Sequence, residues 1–256
     1  MAFLNVNQAH QIYYEALDGA PDRPHLIFLH EGLGCTALWK DFPRLLCTET
    51  GCPGIVYDRL GYGKSSPLPR PFTIHFMHHG AFIELPEVIA QLIPGKDFFL
   101  IGHSDGGSIS LIFASEKPQR LKGIITEGAH VFVEKETVHG IRVAVKDFNT
   151  GKLGGLNKYH GDTTEALFKA WSDIWLSEGF WFWNIEYLLP SIECPLLVLQ
   201  GINDRYGTAA QVESLASKAL NAQKMIIEKC GHSPHHENPD VTLQVMKKFV
   251  TTQLAP

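Results

Sequence analysis

The sequence predicts an α/β fold, with a mostly parallel central sheet, helices on both faces and an inserted helical cap. Three observations predict it. Short apolar runs of strand length alternate with helical patterns, which is the signature of repeated βαβ units. Each glycine-rich or chemically reactive motif directly follows one of those runs, where a parallel sheet presents the carboxyl ends of its strands and binds ligands. The alternation then stops between residues 130 and 190, where aromatic-rich helical segments take over. The expected organisation is a core of residues 1–129 and 191–256 with a cap of residues 130–190.

Taken in order, residues 3–7 and 11–17 read as two short strands, with turns marked by Asp18-Gly19 and Pro21-Asp22. A buried strand at 25–30 runs into Glu31-Gly32-Leu33-Gly34, and an amphipathic helix is expected over 39–46. The next buried strand, 54–58, leads into Arg59-Leu60-Gly61-Tyr62-Gly63-Lys64-Ser65-Ser66. Residues 77–93 read as a helix bent or restarted near Pro86. A strand at 98–101 precedes Gly102-His103-Ser104-Asp105-Gly106-Gly107, and a helical run at 108–116 is stopped by Pro118. Another strand, 121–125, ends near Glu127-Gly128. In the cap, Asp162 and Glu165 have the spacing of a capping box. Leu167, Phe168, Trp171, Ile174 and Trp175 follow at helical spacing, and then Phe180-Trp181-Phe182-Trp183. These aromatics serve either as the core of the cap or as the lining of an apolar substrate pocket. The sheet resumes at 195–200, before Gly201-Ile202-Asn203-Asp204, with a helix at 209–220. A last strand at 224–228 leads to Cys230-Gly231-His232-Ser233-Pro234-His235-His236, and a helix at 239–251 closes the fold.

The stretch around Ser104 organises the chain. A serine between a strand and a helix within G-x-S-x-G has the context of a nucleophile elbow. The tight turn strains the serine, and side chains at Gly102 or Gly106 would collide across it. The following helix directs its N-terminal amides at the site, so the amide of Asp105 is placed to stabilise an oxyanion. On its own, the pentapeptide also fits an ordinary glycine-rich βα turn.

Composition narrows the class. A hydrophobic content of 45% with 19% charged residues suits a packed globular core. A net charge of −5 points away from nucleic acid and anionic membranes as partners. Five cysteines without a C-x-x-C pair suggest reduced thiols, and no signal-like segment precedes the first strand, so a cytoplasmic location is expected. No apolar run approaches the roughly 20 residues of a membrane helix.

Three groups at strand ends complete the chemistry, in the order Ser104, Asp204, His232. A serine hydroxyl needs an imidazole to take its proton and return it to the leaving group. A carboxylate fixes the imidazole tautomer and stabilises the imidazolium. A second oxyanion donor is expected from the loop after His30, with Gly32 the first choice and Leu33 the second. Rivals exist at each position. Asp204 could instead cap the following helix, and Asn203 could stand in for it. His235 and His236 compete with His232, but H-x-x-H-H lacks the accompanying ligands of a metal site, so no metal or cofactor is expected. His30 is expected beneath its loop, His103 to order the turn or touch substrate, and Asp58 to anchor the Arg59–Ser65 loop. Cys230 lacks an elbow.

With these motifs in order, nearly the whole chain resembles the α/β-hydrolase superfamily of serine esterase type. The resemblance rests on His30-Glu31-Gly32-Leu33-Gly34, Asp58 to Ser65, the Ser104 elbow, Gly201-Ile202-Asn203-Asp204 and Gly231-His232. It implies a metal-free serine hydrolase whose cap controls the substrate. The Ser104-Asp105-Gly106-Gly107 elbow and the cap position are similar to the valacyclovir hydrolase (biphenyl hydrolase-like) branch. There, the acid after the nucleophile is understood to hold a substrate ammonium, which would give Asp105 a substrate-binding role. Glu31 departs from the pattern, because many relatives have a second glycine there. It puts the shape and charge of the oxyanion loop in question and could itself meet the substrate.

The reading is a serine hydrolase that cleaves a carboxylic ester or related acyl bond of a small to medium substrate through an acyl-enzyme on Ser104. Asp105, Glu31, His103, Trp171 and Trp183 are the expected substrate contacts. The alternatives are a lactonase or C–C bond hydrolase using the same triad, or a non-catalytic ligand receptor on the same fold. The sequence leaves the oligomeric state open.

Overall fold

A computed structural model describes residues 2–6 and 9–254. Eight strands form one sheet in the order β1-β2-β4-β3-β5-β6-β7-β8. They are β1 (Ala2–Val6), β2 (His10–Leu17), β3 (His25–Leu29), β4 (Gly54–Tyr57), β5 (Phe98–His103), β6 (Leu121–Glu127), β7 (Leu196–Gly201) and β8 (Ala222–Ile227). β1 and β2 pair antiparallel, as do β2 and β4, and every later pairing is parallel. The expected end of β1 at Asn7 lies outside the described residues.

Alternation along the central strands sends neighbouring side chains to opposite faces. Ile27, Leu29, Leu100, Ile124 and Val198 join one apolar cluster, with Val88, Ile109 and Ile112. Leu26, Phe28, Phe99, Ile101, Leu197 and Leu199 join the other, with Trp39, Leu46 and Phe249. The helices follow this division. α1 (Phe42–Thr50) and, near the C-terminus, α10 (Pro239–Gln253) cover the second face, and α10 ends the described fold. α2 (Phe76–His79), α3 (Leu85–Leu92), α4 (Asp105–Ala114) and α8 (Ala209–Lys218) cover the first.

Between β6 and β7 lie α5 (Lys135–Asn149), α6 (Asn157–His160), α7 (Thr164–Trp175) and short 3-10 turns. Phe168, Trp171, Trp175 and Trp183 belong to the same cluster as the first face of the sheet, so this helical stretch shares one continuous core with the sheet.

Several local expectations need correction. The helix expected over residues 39–46 is a 3-10 turn, Thr36–Trp39, followed by α1, with Lys40 at φ 52° between them. Pro43 lies in the first turn of α1, where its missing N–H costs nothing, so the helix starts beside it. The bend near Pro86 is a π turn, Gly80–Glu84, that joins α2 to α3. Pro86 has no N–H to return to the preceding turn, and the backbone widens ahead of it. Asp162 and Glu165 form no capping box: Thr163 is the N-cap of α7, and its hydroxyl donates back to the His160 carbonyl at 2.7 Å. The short helix α9 (Pro234–Glu237), which the sequence reading did not separate, lies between β8 and α10.

Candidate active site

The strand ends assemble the site. Ser104 follows β5 at φ 51°, ψ −116°, a conformation that L-residues rarely adopt and that stores strain at functional turns. Its amide is held by the Glu127 carbonyl at 2.8 Å. The flanking glycines are explained by contact. A Cβ on Gly102 would lie 2.4 Å from the Gly106 carbonyl oxygen, and one on Gly106 would lie 2.1 Å from the Leu29 carbonyl oxygen. These neighbours are backbone, so neither can yield. The elbow therefore crosses directly over the end of β3.

Asp204 and His232 come from the turns after β7 and β8. His232 Nδ1 donates to both carboxylate oxygens of Asp204, at 2.9 and 2.8 Å, which turns its other nitrogen away from the acid. Burial opposes ionisation of Asp204, but the His232 imidazole and the Tyr206 amide outweigh it and lower its pKa. Asp204 does not cap α8, because Thr208 does so by accepting from the Ala210 amide. Gly128, at φ +54°, faces this pair, and a Cβ there would lie 2.9 Å from His232 Nδ1 and 3.3 Å from Asp204 Oδ2. Asn203 lines the cavity without taking the place of the acid.

The rival histidines each have other partners. His235 is buried and pairs through Nδ1 with Glu127, and His236 Nε2 donates to the Leu38 carbonyl at 2.7 Å. Burial lowers the His236 pKa to about 4, helped by His235. Cys230 borders the cavity, but burial pushes its thiol up to about 11, so it stays protonated.

Ser104 and His232 share a cavity of about 480 Å³ with Glu31, Gly32, Leu33, His103, Asp105, Trp171 and Trp175. Among the described residues, the amides of Gly32 and Leu33 donate no hydrogen bond, and Asp105 is the first residue of α4, with no acceptor a turn behind it. These amides are free for an oxyanion. The loop that carries them is fixed from below. The buried Arg59 donates through Nη2 to the carbonyls of His30 at 3.2 Å and Glu31 at 2.8 Å. His30 Nε2 accepts from the Arg59 amide at 3.1 Å. Asp58 accepts from the amides of Thr36 and Lys64 at 2.5 and 2.8 Å, which ties the two loops together. From the cap, His160 Nδ1 accepts from the Gly63 amide and Nε2 donates to the Leu33 carbonyl, each at 3.0 Å.

The acidic residues differ in state. Asp105 is buried, and its Oδ2 has no hydrogen-bond partner. Desolvation raises its pKa to about 6 against the pull of Arg59. Trp171 Nε1 and Asp105 Oδ2 both pack on Gly32, at 2.1 and 2.8 Å from where a Cβ there would sit. The indole N–H of Trp171 also forms no hydrogen bond, and that of Trp175 approaches Asp105 closely enough to favour its charged form without reaching hydrogen-bond geometry. Glu31 folds back over Gly34 and faces His103 Nδ1 at 3.5 Å. Burial works against ionisation of Glu31, yet His103 holds its pKa well below the usual carboxylate range.

Trp183, expected to contact substrate, is not among the residues lining this cavity. It stacks on Phe180 at 5.3 Å and meets the edge of Trp175 at 6.3 Å, inside the cap. Trp175 lines the cavity instead, one helical turn after Trp171 on the same face of α7. Their i, i+4 spacing was the available signal. Glu237, His160 and Arg59 were also missed, because their roles depend on contacts between distant loops.

Comparison with known proteins identifies the fold family. The profile of the alpha/beta hydrolase fold family matches residues 24–180. The proline iminopeptidase of Thermoplasma volcanium is 32% identical, covering 93% of this chain and 92% of that protein. The Mus musculus serine hydrolase BPHL is 25% identical, over 77% of this chain and 68% of its own length. A thermophilic esterase from Thermogutta terrifontis has the same fold at a TM-score of 0.75 and 21% identity, with 98% of each chain covered.

Proposed function

Because the chain belongs to the alpha/beta hydrolase fold family, we propose that this serine hydrolase cleaves a carboxylic ester of a small to medium substrate through an acyl-enzyme on Ser104. One observation carries the reading: a serine in strained elbow geometry shares one cavity with a histidine whose far nitrogen is bonded to a buried carboxylate. In this mechanism His232 takes the Ser104 proton as the oxygen attacks the ester carbonyl. The oxyanion forms against the amides of Asp105 and Gly32, with Leu33 beside them. His232 then protonates the departing alcohol, and Asp204 stabilises the imidazolium throughout. A water activated by His232 attacks the acyl-enzyme and frees the acid and Ser104.

The cavity size and its Trp171 and Trp175 walls suit an acyl or alcohol part with aliphatic or aromatic bulk. The unpaired Asp105 oxygen supports a narrower form of the reading, an ester with an ammonium group close to the scissile carbonyl. A buried acceptor left unpaired costs about 1–3 kcal/mol, so a substrate donor that met it would gain from doing so.

The test is a panel of p-nitrophenyl esters, lactones and amino-acid esters, with Ser104→Ala as the blank. Turnover of esters above all other classes is expected. Preferred turnover of lactones, or stoichiometric binding of every compound without release, would overturn the proposal.

A further inference from the structure

We infer that Glu31 and His103 form a positioning pair that holds the base His232 by its backbone and couples it to the oxyanion loop. The inference rests on the serine-hydrolase reading above and gives that site a part the triad does not contain.

The contacts run in one line across three loops. Glu31 belongs to the loop after β3, and its carboxylate faces His103 Nδ1 at 3.5 Å. His103 precedes Ser104 in the elbow and is 2% exposed. Its Nε2 donates to the main-chain carbonyl of His232 at 2.8 Å. A second carboxylate grips the same loop from the other side: Glu237 accepts from the amides of Gly231 at 2.7 Å and Ser233 at 3.0 Å. His232 is thus held at its own carbonyl, at both flanking amides and at its ring. The His103 donor is strongest when the ring carries a proton on each nitrogen, because a charged donor makes the stronger hydrogen bond. Glu31 supplies the charge that keeps it so.

The electrostatics agree. Burial lowers the His103 pKa, but the facing Glu31 carboxylate, then Glu127 and the His232 carbonyl, raise it to about 9. The rings of His232 and His235 stand 5.1 and 5.0 Å away, and Asp105 lies in the same electrostatic neighbourhood. Since the folded value is above the ordinary histidine value of 6.5, the contribution is complete below 6.5, declines above it and is lost as pH rises through about 9. The glutamate that departs from the family's usual glycine is therefore compensated, because its charge is spent on His103.

The experiment follows labelling of the intact protein by a fluorophosphonate, which needs His232 to activate Ser104 but needs no knowledge of the natural substrate. The wild type should label at a rate that falls as pH rises through about 9. Glu31→Gln removes the charge with little change in size. It should slow the maximal labelling rate by about tenfold and move the alkaline fall to lower pH, since small misplacement of a reacting group is costly. Glu31→Asp should recover part of the rate. His103→Gln keeps a donor for the His232 carbonyl, so it should remove the alkaline fall while keeping a measurable rate. A purely structural role would lower the melting temperature without moving the pH profile. If Glu31→Gln keeps the wild-type rate and pH profile, the positioning pair is refuted. If the wild type itself never labels at Ser104, the serine-hydrolase reading fails instead.

Discussion

Replacing Trp183 separates a tryptophan that holds the cap together from one that reads the substrate. Trp183 is 8% exposed, stacked on Phe180 at an interplanar angle of 17°, and outside the lining of the cavity. Truncating such a side chain to alanine costs about 3–5 kcal/mol. In a domain of this size each kcal/mol shifts the melting temperature by about 2–4 °C, so Trp183→Ala should melt about 6–20 °C lower. The indole N–H of Trp183 has no partner. Trp183→Phe keeps a ring against Phe180 and removes that buried donor, which offsets part of the lost packing, so it should stay within about 1.5 kcal/mol of wild type. The assay is a thermal melt beside kcat/KM for esters of graded acyl size. Trp183→Ala should lower the melt and leave the relative kcat/KM values unchanged. Trp171→Phe, which alters the cavity wall, should change those relative values. A shift in acyl preference for Trp183→Ala at an unaltered melting temperature would place Trp183 in the substrate pocket instead.

Asp204→Asn should lower kcat by about 10⁴ with little change in melting, because an amide no longer fixes the imidazole tautomer. His235→Ala should instead cost stability, by leaving Glu127 buried and unpaired, and should lower kcat far less than His232→Ala in the same assay. Gly106→Ala should destabilise by about 1–3 kcal/mol or more in urea unfolding and also slow Ser104 labelling, because its Cβ presses on backbone at Leu29 and separates the elbow from the oxyanion loop. Asp105→Asn should raise KM for amino-acid esters while sparing matched esters without the amine. Equal losses for the two classes would leave Asp105 a helix-end carboxylate only.

The strands and the placement of Ser104, Asp204 and His232 at their ends were legible because the order of a parallel sheet is local in sequence. Ser104, Asp204 and His232 each follow an apolar run and lie within three residues of a glycine, and the sheet brings its strand ends together. The Gly102–Gly106 pattern was readable for the same reason, since its constraint acts within five residues. What supports those groups was not readable. Arg59 reaches the carbonyl of Glu31 across 28 residues, His103 reaches the carbonyl of His232 across 129, and His160 reaches Leu33 across 127. No periodicity encodes such contacts. The misjudged elements have a similar cause. Trp183 sits in an aromatic run that signals burial without saying which surface it meets, and Pro43 and Pro86 mark a helix start and a π turn that differ only in the neighbouring backbone. Glu31 read as a disturbance because its partner, His103, lies on another strand end.

The central claim is that Ser104 carries the acyl group. Its most direct test is intact-protein mass spectrometry during turnover of an activated ester, with rapid acid quenching. The account predicts a transient adduct with the mass of the acyl group, one per chain, mapped to the peptide containing Ser104 and absent from Ser104→Ala. It also predicts a burst of p-nitrophenol of the same size. Full turnover by Ser104→Ala, or an adduct mapped to Cys230 or any other residue, would contradict it.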